Sequence, residues 1–242
     1  MAKHLGKFTG LLTERHWPTV PCPTCEVGNL QLDGGVRVTW SSHVMTAPDY
    51  PPLADVEYSG MFTAHLRCDD RGCQEGAVVA GRAYVDEQYE RPTESRYQTF
   101  LQVHFVEPAL RLFQIPPGTP EPIGKAIESA SVVMWASPSS AANRLRYAVE
   151  EVLNDQGVPK GTAHSRIEWF GKSNKGMADA LMAVKWIGNE GSHQDALTTS
   201  DVLDDAEILE HVVVALYGSG NAAIEATIKA VNDAKGIAKK DT

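Results

Sequence analysis

Pro116-Pro117-Gly118-Thr119-Pro120-Glu121-Pro122 divides the chain into two textures, and the fold class follows from what lies on either side of it. Four prolines in seven residues remove backbone donors and fix φ, so neither a helix nor a strand ladder can run through the segment. Before it the apolar residues have period two. Val56, Tyr58, Gly60, Phe62, Ala64 and Leu66 alternate with Glu57, Ser59, Met61, Thr63, His65 and Arg67, which predicts a half-buried strand. Further strands are expected over 36–40, 77–85 and 97–106, the last with Tyr97, Thr99, Leu101, Val103 and Phe105 on one face. Asp33-Gly34-Gly35 and the run 47–52 supply turns.

After the proline segment the period becomes helical. Ser137 before Pro138 fits an N-cap with proline at the first helical position. Ala141, Leu145, Ala148, Val149, Val152 and Leu153 then repeat at three and four, and Asp155-Gln156-Gly157 marks the stop. Further helices are expected over 177–187, 200–217 and 221–235, with a shorter one at 123–135 and a frayed tail from 235. In the third, Asp201, Asp204, Asp205 and Glu207 favour the positive N-terminal end. The expectation is an α+β chain, an antiparallel β domain over 1–115 followed by an α-helical bundle over 116–242.

The totals narrow the function classes. Length 242, 43% hydrophobic and 22% charged residues belong to a globular protein. No stretch approaches the roughly 20 apolar residues of a membrane span and the first residues lack a signal-peptide core, so a cytoplasmic location without membrane contact is expected. The net charge of −9 argues against bulk electrostatic coating of nucleic acid. Residues 1–121 carry 10 basic and 15 acidic side chains and the remainder 12 and 16, so neither half is a basic arm. Nucleic-acid contact must be local.

All four cysteines fall in two close pairs, Cys22-Pro-Thr-Cys25 and Cys68-Asp-Asp-Arg-Gly-Cys73. Two knuckles each presenting two thiolates suit a structural zinc ion, as in a zinc ribbon with an enlarged insertion between the knuckles. A closed four-thiolate shell leaves no position for substrate, so it acts as a staple. Free buried thiols and a redox pair are the competing readings, and His43 or His65 could replace a cysteine as ligand.

Lys185-Trp-Ile-Gly-Asn-Glu-Gly-Ser-His193 carries the candidate chemistry. Lys185, Asn189 and His193 are spaced by four, so a helix through the segment would align a cation, an amide and an imidazole on one face, a grouping that could handle a phosphate. The same segment reads as a helix end, because Gly188 and Gly191 each cost about 1 kcal/mol relative to alanine inside a helix and glycine before asparagine is a stop signal. Lys185 alone reads as an exposed charge, Arg146 and Glu150 as a surface pair at helical spacing, and Trp135, Tyr147, Trp169 and Trp186 as core or subunit-interface anchors.

From Pro108 to Tyr217 the chain resembles bacterial domain-of-unknown-function family 4145, related to the HEPN superfamily of helical nucleotide- and RNA-directed domains. The resemblance rests on Ile115-Pro116, Pro122-Ile123, the helix Ser139 to Glu150, the block Ile187-Gly188-Asn189-Glu190-Gly191-Ser192-His193, and Leu209 to Tyr217. It implies a compact HEPN-like bundle, often a homodimer, in which the arginine-to-histidine motifs of two protomers meet. Catalytic members cut RNA there without metal. Carried over, His193 is the acid/base, Asn189 orients substrate or histidine, and Lys185 stands where the family has arginine. Lysine lacks the planar fork that holds a phosphate by two bonds. The resemblance thus implies an RNA-directed, endoribonuclease-type role in a defence or toxin-like context, alongside a zinc-ribbon-like N-terminal segment. The alternative is a non-catalytic accessory module that binds protein or nucleotide, including a protein partner of a defence system.

Overall fold

A computed structural model describes residues 2–10, 12–14, 16–45, 58–87, 97–193, 197–218 and 232. Among them an antiparallel curled sheet precedes a set of helices, so the chain is α+β. The strands are β1 (Val20–Pro21), β2 (Asn29–Leu32), β3 (Arg37–Trp40), β4 (Ser59–Cys68), β5 (Gly76–Glu87) and β6 (Tyr97–Glu107). They pair in the order β1-β2-β4-β5-β6, with β3 continuing along β4 beyond β2. The loop between β2 and β3 uses Gly34 at φ 89°, a left-handed value open to glycine.

The period-two reading holds on β4, where Phe62, Ala64, Leu66 and Cys68 are buried and the residues between them exposed. It fails at the end of β6. Leu101 and Val103 are buried as expected, yet Phe105 is 51% exposed and Val106 is buried instead. The register shift between Ala80 and Gly81 explains this, because Gly81 pairs with Val103 while Ala80 pairs with Phe105, leaving His104 as the extra residue of a bulge. A Cβ on Gly81 would collide with the Gln102 carbonyl oxygen, so only glycine admits the bulged strand. Strands β1 and β2 are too short to leave a periodicity and were not expected. The expected turn at 47–52 lies outside the described residues.

The helices are α1 (Gly6–Thr9), α2 (Ser42–Met45), α3 (Glu121–Val133), α4 (Pro138–Asp155), α5 (Ala163–Gly171), α6 (Lys175–His193) and α7 (Thr199–Tyr217). Helix α4 starts as its sequence predicts, with Ser137 Oγ accepting from Ser140 N at 3.4 Å and Pro138 in the first turn, and it ends before Gly157 at φ 66°. Its six predicted apolar positions are all buried. Helix α5 was not expected; Thr162 caps it by accepting from Ser165 N. The helix expected over 221–235 and the frayed tail lie outside the described residues, Asn232 excepted.

Two expectations on the later helices are corrected. Helix α6 does not stop at Ile187 but runs on through Gly188 and Gly191 to His193. The physical reason is the crossing with α4, since a Cβ on Gly188 would lie 2.7 Å from Arg146 Cβ and 3.0 Å from the Ala142 carbonyl oxygen. Gly188 marks a close approach of two helices rather than a helix end. On α7 the N-terminal acids do not act together. Asp201 completes a capping box with Thr198, whereas Asp205 is fully buried and neither carboxylate oxygen has a hydrogen-bond partner among the described residues.

Buried side chains of sheet and helices form one contiguous hydrophobic cluster. Phe8 of α1 joins the halves, with its ring 6.0 Å from Trp135 after α3 and 5.9 Å from Trp17, which in turn lies 6.1 Å from Phe62 on β4. Trp135 is therefore a core residue; Tyr147, Trp169 and Trp186 are about half-exposed.

Candidate functional site

The two cysteine knuckles meet at one end of the β2–β4 pair. Leu30 on β2 pairs with Cys68 on β4, so the turn before β2 and the turn after β4 are neighbours by register. The four sulfur atoms lie within 4.8 Å of one another and could hold a metal ion. Cys22 Sγ is 3.8 Å from Cys73 Sγ, and Cys25 Sγ is 3.6 Å from Cys68 Sγ. A tetrahedron with metal–sulfur bonds of about 2.3 Å has edges of about 3.8 Å, so the donor set fits a four-thiolate centre, and these separations exclude disulfides.

Both knuckles are built in the same way. The residue after each second cysteine, Glu26 at φ 59° and Gln74 at φ 53°, takes a left-handed conformation that turns the chain back over the sulfurs. Gly28 N donates to Cys25 Sγ at 3.4 Å, and Cys22 N donates to the Gly28 carbonyl at 2.9 Å. Asp70 Oδ1 accepts from Gly72 N and Cys73 N at 2.9 and 3.0 Å, shaping the second turn. Asp69 ties the knuckles together, accepting from Asn29 N at 2.7 Å and Gln31 Nε2 at 2.9 Å. Gly28 is required where they touch, because a Cβ there would sit 2.6 Å from Cys68 Sγ.

The thiols are unequal. Backbone N–H groups of Gly28 and then Val27 pull the Cys25 pKa down to about 7, while burial pushes Cys68 up to about 12. A cation at the centre of the four sulfurs would favour every thiolate. His65 is exposed on β4 and does not join the cluster; the His43 side chain lies outside the described residues. Sequence spacing singled out the four cysteines that meet, but gave no sign of Gly28 or Asp69, whose contacts exist only once the knuckles meet.

The second candidate lies on α6. Because the helix is unbroken, Lys185, Asn189 and His193 occupy successive turns on one side of its backbone. Lys185 is not the exposed charge that its sequence suggests: it is 8% exposed, and its ammonium lies 3.5 Å from the ring centroid of Trp186. Asn189 is half-buried, and the His193 side chain lies outside what is described. Arg146 of α4 packs over Gly188, so a guanidinium stem reaches the same helix between Lys185 and Asn189 in sequence. It is held by Asn143 Oδ1 at 3.2 Å and Glu150 Oε1 at 3.3 Å. Arg144, on the same helix, instead lines a cleft of about 700 Å³ between α3 and α4, together with Lys125, Ser140, Asn143 and Tyr147.

Both parts of the chain match uncharacterised domain families. Residues 128–240 match the model described as Domain of unknown function (DUF4145), and residues 11–108 match that described as Domain of unknown function (DUF8608). The first covers α4 and the Gly188-to-His193 block on which the resemblance to family 4145 rests; the second covers all four cysteines. No curated protein and no solved structure matches the chain. Among the described residues no helix is long and apolar enough to cross a membrane.

Proposed function

We propose that this chain is a zinc-stapled, HEPN-like protein acting on RNA, with metal-independent phosphodiester cleavage on the α6 face through His193, Asn189 and Lys185. The observation that supports this reading is the continuity of α6 through Gly188 and Gly191, which keeps a cation, an amide and an imidazole in helical register. In this chemistry an RNA 2′-hydroxyl attacks its own phosphorus and the 5′-oxygen leaves. His193 takes the hydroxyl proton or returns one to the leaving oxygen, and a cation stabilises the charge developing on the phosphoryl oxygens. Arg146, whose stem packs over Gly188, would add the guanidinium fork that Lys185 lacks.

The ion assigned to the cysteine centre is zinc, which takes four thiolates in a tetrahedron and has no redox chemistry of its own. With its shell closed it holds the knuckles together and leaves catalysis to the helices. The working form is a cytoplasmic homodimer in a defence or toxin-like setting, and light scattering on the purified protein checks the dimer.

One observation favours a second reading. The Lys185 ammonium is largely buried against Trp186, and a lysine held there lends itself to packing more than to phosphate binding. That reading is a non-catalytic accessory module for a protein or nucleotide. The deciding experiment incubates zinc-loaded protein with total RNA in EDTA, beside His193→Ala, with circular dichroism to verify that both stay folded. Cutting lost in the variant supports cleavage; no cutting by folded wild type moves the assignment to the accessory module.

A further inference from the structure

Among the described residues, the centre of the outward face of the sheet carries exposed side chains. Cross-strand register sets Arg37, Thr63, Ala80 and Phe105 in one row and Thr39, Met61, Arg82 and Gln102 in the next. These side chains are exposed or half-buried, with Met61 at 62% and Phe105 at 51%. Neither row contains a carboxylate. The nearest acids in the outward register are Asp33, opposite His65 and engaged by Arg67, and Glu107 on the edge strand, both one row further along. Arg37 and Arg82 have no ion-pair partner among the described residues, unlike Arg67, which Asp33 holds at 2.7 Å. Strand spacing and rise put their Cα atoms roughly 12 Å apart. In a chain of net charge −9 this is a local concentration of cation beside an exposed ring.

Phe105 reaches this face only because of the bulge. Regular alternation would turn it inward with Leu101 and Val103. The extra residue His104 re-aims it outward, and the sheet accepts two unfavourable features in consequence. One is an obligatory glycine at position 81, and the other is a His104 ring whose Nε2 is buried without a partner among the described residues. Burial, and then the neighbouring Arg82, hold the His104 pKa below its ordinary value, so the imidazole adds no charge to the face. Core packing does not explain a bulge that removes a phenylalanine from the core and sets it on the outward face, one row from Arg82.

We infer that this face binds single-stranded nucleic acid, with Phe105 stacking on an unpaired base and Arg37 and Arg82 receiving phosphates. An exposed, sequence-tolerant platform of one aromatic ring with cations on the same face is the pattern such ligands need. A duplex offers its phosphates but keeps its base faces covered, so it would use the arginines and leave the ring idle. Thr39, Thr63 and Gln102 supply neutral donors and acceptors between the two cations. The inference stands apart from cleavage on α6, since binding here requires no chemistry.

The test is fluorescence anisotropy of full-length, zinc-loaded protein with a labelled oligouridine of about twelve nucleotides, within the site sizes of single-strand binders. Its deoxythymidine counterpart, a duplex of equal length and a labelled glutamate-rich peptide complete the set. Both single strands should bind more tightly than the duplex and the peptide. Phe105→Ala should weaken single-strand binding by about 5- to 150-fold, Phe105→Trp should restore it, and Arg37→Ala or Arg82→Ala should each reduce the logarithmic salt slope by about 0.7. The deoxythymidine strand has no 2′-hydroxyl to attack, so its Phe105-dependent binding separates this site from the α6 reading. No single-strand binding at low salt, equal binding of the duplex, preference for the peptide, or binding indifferent to Phe105→Ala would each overturn the inference.

Discussion

The cysteine centre and the α6 face both consist of a few reactive groups picked out by short spacings, yet they are held in opposite ways. The cysteines come from two distant turns that register brings together, and every supporting contact serves the convergence: Asp69 across the knuckles, Asp70 within one, Gly28 where they touch. The α6 groups share one helix and need no convergence, but their surroundings are packing contacts, with Gly188 against α4 and Lys185 against Trp186. A centre made of closure should be sensitive to loss of any member. A face on a helix should be sensitive mainly where that helix touches its neighbour.

Four measurements sharpen this contrast. Purified protein should carry one zinc per chain by elemental analysis, and Cys68→Ala should release it and cost several kcal/mol in thermal melting; Asn189→Ala on the α6 face should cost less than about 1 kcal/mol. Asp205 comes next. Burial raises its pKa to about 8 from 3.8, so the folded state holds a proton that the unfolded state gives up. Stability from this group is therefore fully present below about pH 4 and declines as pH rises to about 8. Asp205→Asn should exceed wild type by a few kcal/mol at pH 8 and by far less at pH 4 in urea titrations.

Helix α6 contains its own internal comparison. Gly188→Ala should destabilise by about 1–3 kcal/mol through overpacking against Arg146 and the Ala142 carbonyl. Gly176→Ala, with nothing within 4 Å, should stabilise by up to about 1 kcal/mol. Equal effects from the two would mean that helix propensity, and not the crossing with α4, governs the segment. The smallest effect is at Gln74→Gly, where relief of the left-handed backbone should raise the melting temperature by the equivalent of less than about 1 kcal/mol.

Much of the fold was legible because its signals are local. The caps and stop of α4, the alternation along β4 and the paired knuckle spacings each act within a few residues. What stayed hidden depended on contact with another element. Alternation puts Phe105 on the face of Leu101 and Val103 because a bulge leaves no mark on it, and Gly188 reads as a stop because nothing in its own neighbourhood shows the α4 backbone close by. Asp205 passed for a helix-end charge among three similar acids, since only packing distinguishes it from Asp201. Helix α5 escaped because two of its nine residues are buried, too few to set a period.

The sequence by itself determined the change from strand to helix at the proline segment and the two close cysteine pairs, since backbone geometry and knuckle spacing are properties of adjacent residues. Only the tertiary structure decided that the knuckles meet, that α6 continues to His193 and that Phe105 faces outward. Each of these depends on a second element closing the distance, and the energy of such contacts belongs to pairs of residues far apart in the chain.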